Sequence, residues 1–206
     1  MHNQTTFGNL SPSQRIHLQA GDALVIVDVQ NDFLPGGSLT VPCGDQVVPV
    51  LNQYLSLFQD RALPVYATRD WHPLDHCSFH SQGGPWPPHC IADSAGAQFA
   101  PYLQLPPSAT VISKAISADK DAYSGFEGTH LDDSLRNAKV QRLFIGGLAT
   151  DYCVLNTVKD ALQHGYQVFL LEDAIRAVNV NRNDGVKAEW AMTNQGAIPV
   201  EWKMLS

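Results

Sequence analysis

The chain has 206 residues, 44% hydrophobic and only 16% charged, which excludes a disordered polymer and suits a folded globular chain. Its net charge of −7, with no long like-charge run, argues against nucleic acid and anionic membrane as partners. No stretch approaches the roughly 18 apolar residues that span a bilayer, and the polar N-terminus lacks the apolar segment of a signal peptide.

Residues 1–20 read as a loose arm. "ALVIVDV" (23–29) is a nearly continuous apolar run between turn signals, the pattern of a strand buried on both faces. "QVVPVLNQYLSLFQD" (46–60) has helical spacing, and Pro49 fits only in a first turn, so the helix starts near Asp45 or Gln46. Further strands are expected at 63–68 and 109–115, and a short helix at "LDDSLRNAKV". A fourth strand follows at 142–149, a helix at 151–164 ending before Gly165, and a fifth strand at 167–173. A polar helix near 182–194 and a sixth strand in "AIPVEW" complete the series. Apolar strands alternating with helices imply a three-layer α/β/α fold with a mostly parallel six-stranded sheet. The stretch 70–108, rich in Pro, Gly and His, breaks the rhythm and reads as a functional loop. No repeat or linker divides the chain, so a single domain over 1–206 is expected.

Parallel sheets bind ligands beyond the carboxyl ends of their strands. Asp28, Asp70, His72, Lys114 and Cys153 all fall at those ends. With Thr150 as N-cap, Cys153 sits in the first turn of a helix, where free N–H groups favour a thiolate. Taken alone, the cysteine reads more readily as buried filler. Asp28 is harder to explain as filler, because it interrupts an apolar run and a buried carboxylate needs a cation. Lys114 is available to hold it ionised, and Asp28 then accepts the thiol proton. Asp70 and His72, two apart on an extended segment, and His89 beyond the Gly/Pro loop make a donor set that suits Zn, Fe or Mn. His76 and His80 are further candidates. Phe33, Trp86, Tyr123 and Phe126 offer aromatic walls for a flat substrate. The four cysteines, Cys43, Cys77, Cys90 and Cys153, follow no small disulfide framework and read as reduced thiols of a cytoplasmic protein.

The set "VDVQNDF", "DWHP", "WPPHC", "SK", "YSGFEG" and "GLATDYCV" closely resembles the nicotinamidases of the isochorismatase-like cysteine hydrolase superfamily, over about residues 23–200. The resemblance implies a catalytic triad of Asp28, Lys114 and Cys153 and metal ligands Asp70, His72 and His89, with His76 as the best extra ligand. It implies an oxyanion hole from the N–H groups of Ala149 and Cys153, with a cis bond at Leu148–Ala149. Phe33, Trp86 and Tyr123 match positions lining a nicotinamide pocket. The implied reaction is hydrolysis of nicotinamide to nicotinate and ammonia, in NAD salvage, through a cysteine thioester with one divalent metal ion orienting the ring. The partner is then a small molecule, with a homo-oligomer left open. The rival within the superfamily is a metal-free cysteine hydrolase acting on a carbamoyl compound or an isochorismate-like ether. A catalytically dead binding protein on this same fold is the rival of a different functional class.

Overall fold

Strand β1 (Asp22–Val27) is buried along its whole length because both faces are covered. Leu24 and Ile26 pack with Leu51, Tyr54, Leu55 and Phe58 of helix α1 (Val47–Asp60). Val25 and Val27 point the other way, into a core shared with helices α2 (Leu131–Asn137), α3 (Leu155–Gln163) and α4 (Asp184–Asn194). Each fully buried side chain of Leu or Phe size contributes about 1.5–3 kcal/mol, so α1 is held mainly by that one apolar face. Pro49 lies in its first turn, where the ring removes no helical hydrogen bond. The structure, a computed structural model, describes residues 15–206.

The other strands are β2 (Val65–Asp70), β3 (Thr110–Lys114), β4 (Arg142–Leu148), β5 (Gln167–Arg176) and β6 (Ile198–Val200). They form one sheet in the order β3-β2-β1-β4-β5-β6, parallel throughout. The strand order reverses between β1 and β4, which opens a crevice at their carboxyl ends. Gly147 allows the two strands to close there. Its φ is +125°, and a Cβ at that position would stand 2.1 Å from the carbonyl oxygen of Val27.

Several boundaries differ from expectation. β2 runs on to Asp70, so that carboxylate ends the strand rather than following it. β5 continues to Arg176, past a register shift opposite Ile145 and Gly147. The helix expected from 151 begins only at Leu155. Residues Thr150–Val154 form a wide π-type turn, because the Ala149 carbonyl accepts both the Tyr152 and the Val154 N–H at 3.1 Å. Ala149, not Thr150, is the N-cap of this turn, and it makes no side-chain cap bond. The expected arm is docked from Ile16 onward. Ile16 and Leu18 are buried with Leu205, and the Ile16 N–H donates to Met204 at 2.7 Å. Residues 1–14 of that arm lie outside the described residues.

The link from β2 to β3 replaces the usual crossover helix with a long loop. Within it are a short turn at His80–Gln82 and isolated bridges such as His72 to Ile91 and Phe79 to Trp86. Among the described residues no helix is long and apolar enough to cross a membrane.

Candidate functional site

Lys114, the last residue of β3, lies beneath the crevice with its side chain fully buried. Its ammonium stands 2.9 Å from Asp28 Oδ2, bonds Asp70 Oδ1, donates to the Ala122 carbonyl at 3.1 Å and lies 3.4 Å from Cys153 Sγ. Asp28 leaves β1 with φ +48° and receives the Thr68 hydroxyl on Oδ1 at 2.6 Å. Its Oδ2, despite the nearby ammonium, has no aligned hydrogen-bond donor among the described residues. The carboxylate thus keeps an open acceptor and brings an oxygen within 4.8 Å of the Cys153 sulfur.

Burial dominates the protonation of this group. It pushes Asp28 above the ordinary carboxylate range, and Lys114 pulls the carboxyl back without offsetting it. Lys114 therefore opposes burial at Asp28 in the expected direction but does not cancel it. Burial also pushes the Cys153 thiol well above its usual value, with Lys114 opposing and Asp28 adding to the rise. The helix-start argument for a resting thiolate therefore fails, since Cys153 sits in a wide turn and is 6% exposed. Burial would lower Lys114, but Asp28 and Asp70 more than reverse it and keep the ammonium charged. For Asp70 burial pushes up, and Lys114, His72 and His89 together bring it below the ordinary range.

Asp70, His72 and His89 are all buried and bring one ligand atom each within 4.8 Å of one another. Nδ1 of His72 meets the His89 carbonyl at 2.9 Å, and Nδ1 of His89 meets the Pro87 carbonyl at 2.8 Å. A carbonyl only accepts, so each Nδ1 carries the proton and each Nε2 keeps its lone pair. Burial pushes His72 down to about 4 and lowers His89 too, which keeps both rings neutral. Two donors each about 2.1 Å from one zinc stand at most about 4.2 Å apart, and His72 Nε2 lies 3.8 Å from Asp70 Oδ1. The donor set fits a divalent ion. Gln30 fixes the Asp70 backbone, accepting its N–H at 2.8 Å and donating to its carbonyl at 2.8 Å. His76 does not join the trio. Its Nδ1 pairs with Ser78 Oγ at 2.7 Å and its Nε2 with the Lys120 carbonyl at 3.2 Å, and it falls within donor reach of His72 and Asp121 instead. His80 is exposed, its Nδ1 meeting the Gly84 carbonyl at 3.1 Å.

One cleft joins the two groups. Phe33, Trp86, Tyr123, Ala149 and Cys153 line it together with the three donors. Trp86 Nε1 donates to Tyr123 Oη at 3.0 Å, fixing two walls against each other. Phe126 points away and stacks on His164. The Leu148–Ala149 peptide is cis. All four cysteines are free thiols.

The isochorismatase domain model matches residues 22–203. The chain belongs to the isochorismatase family. It is 42% identical over 196 residues to a nicotinamidase of Escherichia coli (strain K12), covering 85% of this chain and 92% of that one. The crystal structure of the pyrazinamidase of Pyrococcus horikoshii in complex with zinc superposes with a TM-score of 0.85 at 46% identity, covering 88% of this chain and 99% of that one. PnC1 from L. infantum in complex with nicotinate gives a TM-score of 0.86 at 35% identity, covering 93% and 98%.

In this family member some lining residues carry no signal in the sequence. Tyr152 packs edge-on to Trp86 with centroids 5.0 Å apart, and Leu39, Val41 and Val178 supply apolar wall. Val178 is tied to the turn that carries Cys153 because its N–H donates to Asp151 Oδ1 at 2.9 Å. Thr68 and Gln30, which bond Asp28 and the Asp70 backbone, likewise carry no signal in the sequence.

Proposed function

We propose that this chain, read as one hydrolase domain, is a metal-dependent cysteine amidohydrolase that converts nicotinamide and water to nicotinate and ammonia. The observation that carries the reading is Lys114, whose ammonium touches Asp28, Asp70 and lies 3.4 Å from Cys153 under a cleft that also holds the imidazoles. Nucleophile and ring anchor thus share one aromatic-walled space.

Asp70, His72 and His89 would hold one divalent ion, Zn, Fe or Mn, and that ion supplies a Lewis acid for the pyridine nitrogen. The zinc in the P. horikoshii relative and the nicotinate in the L. infantum relative support both assignments. Phe33, Trp86 and Tyr123 flank the ring and exclude water. Asp28, its affinity for protons raised by burial, accepts the Cys153 proton as the sulfur attacks the carboxamide carbon. Lys114 stabilises the anionic charge through this step. The N–H groups of Ala149 and Cys153, both lining the cleft, are assigned to the oxyanion. Asp28 returns the proton to the amide nitrogen, the C–N bond breaks and ammonia leaves. Water then cleaves the thioester, with Asp28 taking its proton, and nicotinate and the thiol are released.

Ammonia release from nicotinamide, measured on native, metal-stripped and zinc-restored protein, tests the reading. Activity lost on stripping and regained with zinc is expected. Equal rates with and without metal would sink the ring-anchoring role, and no release in any form would sink the reaction.

A further inference from the structure

The peptide bond joining His89 to Cys90 is gripped at both ends. Its carbonyl accepts the His72 Nδ1–H at 2.9 Å, and its N–H donates to Asp32 Oδ2 at 2.7 Å. Asp32 is itself fixed on three sides. Its N–H donates to the Gly96 carbonyl at 3.0 Å, its carbonyl accepts the Leu39 N–H at 3.0 Å, and its Oδ1 accepts the Ser38 N–H at 3.2 Å. A Cβ on residue 96 would stand 2.1 Å from Asp32 Oδ2, so a glycine is what lets the carboxylate reach the loop. Phe33, the next residue, packs its ring 5.7 Å from the His89 ring.

We propose that Asp32 is a positioning residue for metal binding, acting through the His89–Cys90 peptide to orient both imidazoles of the donor trio. One carboxylate fixes the backbone that carries His89. The same peptide presents the carbonyl that sets the tautomer and ring direction of His72. A negative charge at the N–H end polarises the amide, making its oxygen a stronger acceptor and the His72 Nε2 a better donor. Asp32 does not line the catalytic cleft, and its Oδ2 bond crosses 58 residues of chain, whereas its Oδ1 bond is local. The proposal rests on the reading of Asp70, His72 and His89 as a metal site.

The test compares wild type, Asp32→Ala and Asp32→Asn by zinc titration of the metal-free proteins against a chromophoric chelator. Alkylation of Cys153 in the same metal-free proteins, followed by peptide mass mapping, reports whether the nucleophile half is intact. Removing such an outer partner typically costs about 10–100-fold in metal affinity, and that loss is expected for Asp32→Ala. Asp32→Asn keeps an oxygen for the Cys90 N–H and should recover a clear part of it. Alkylation rates should stay within about twofold, since no contact to Cys153, Asp28 or Lys114 is removed. Zinc affinity of Asp32→Ala within about twofold of wild type would overturn the proposal. So would no recovery in Asp32→Asn, or an alkylation change as large as the affinity loss, which marks general loosening. A wild type that binds zinc tightly without releasing ammonia would instead sink the proposed reaction and leave the role of Asp32 standing.

Discussion

Asp28, Lys114 and Cys153 stand where strands β1, β3 and β4 end, whereas His72 and His89 stand on the long loop between β2 and β3. The first group inherits its geometry from sheet register, with Asp70 paired to Lys114 across β2 and β3. The second is fixed by a few hydrogen bonds to backbone carbonyls, at His89 and Pro87. Strand-borne groups are therefore hard to move and easy to disable chemically. Loop-borne groups can be displaced by changes that leave the chemistry of every donor intact.

The largest effects are expected on the strand side. Cys153→Ala removes the nucleophile, and Asp28→Asn keeps the shape while removing the base. Each should lower ammonia release by on the order of 10⁴-fold or more, with circular dichroism unchanged. Substantial turnover by either variant would dismiss the assigned roles.

Lys114→Met comes next, because it strands two buried carboxylates. Removing one member of a buried pair typically costs about 3–5 kcal/mol, readable as a lower urea midpoint. Lys114 lowers the proton affinity of Cys153 and of Asp28, so its loss should move the pH profile of Cys153 alkylation upward. A profile that stays put would uncouple the lysine from the thiol.

On the loop side, His89→Ala should raise KM for nicotinamide by about tenfold or more, roughly 1.4 kcal/mol of ring anchoring, while Cys153 alkylation in the metal-free protein is unaffected. A fall in kcat at constant KM would place His89 in the chemical step instead.

The last effect concerns pH. In the metal-free protein His72 is held neutral down to about 4, against about 6.5 for a free imidazole. Between those values the unfolded chain binds more protons than the folded one, so stability falls as pH falls through the window, by at most about 1.4 kcal/mol per unit from this group. Thermal unfolding of wild type and His72→Gln from pH 7 to 4 measures it. Equal slopes for the two proteins would show that His72 contributes nothing.

This contrast also governs how far the molecule could be read from residues alone. β1 and α1 were legible because continuous burial and a 3.6-residue period write themselves into residue type. Asp28 stood out for the same reason, as a charge inside an apolar run. The wide turn at Thr150–Val154 left no such trace, since it is made by backbone N–H groups sharing the Ala149 carbonyl. The docking of Ile16 depends on Leu205 at the other end of the chain, which no local window contains. Asp70 read as a metal donor, yet its bond to Lys114 needed the β2–β3 register. The direction of the Asp28 shift required the balance of burial against one ammonium, and composition carries no measure of that.

The adjacency of β1 and β4 divides the chemistry between two lengths of chain. Everything up to β3 carries the proposed base, cation and metal donors, and everything from β4 onward carries the proposed nucleophile and oxyanion donors. The end of α2 and the turn after it are exposed at residues 136–139, and Lys139 there has a φ of +56°. A chain cut at Lys139 should give two fragments that turn over substrate only once β1 and β4 have paired, and ammonia release by either fragment alone would contradict that division. Expressed as separate polypeptides fused to two interacting proteins, the halves would act as a reporter whose signal is an enzymatic product. Background would be set by the unaided affinity of one strand edge for the other.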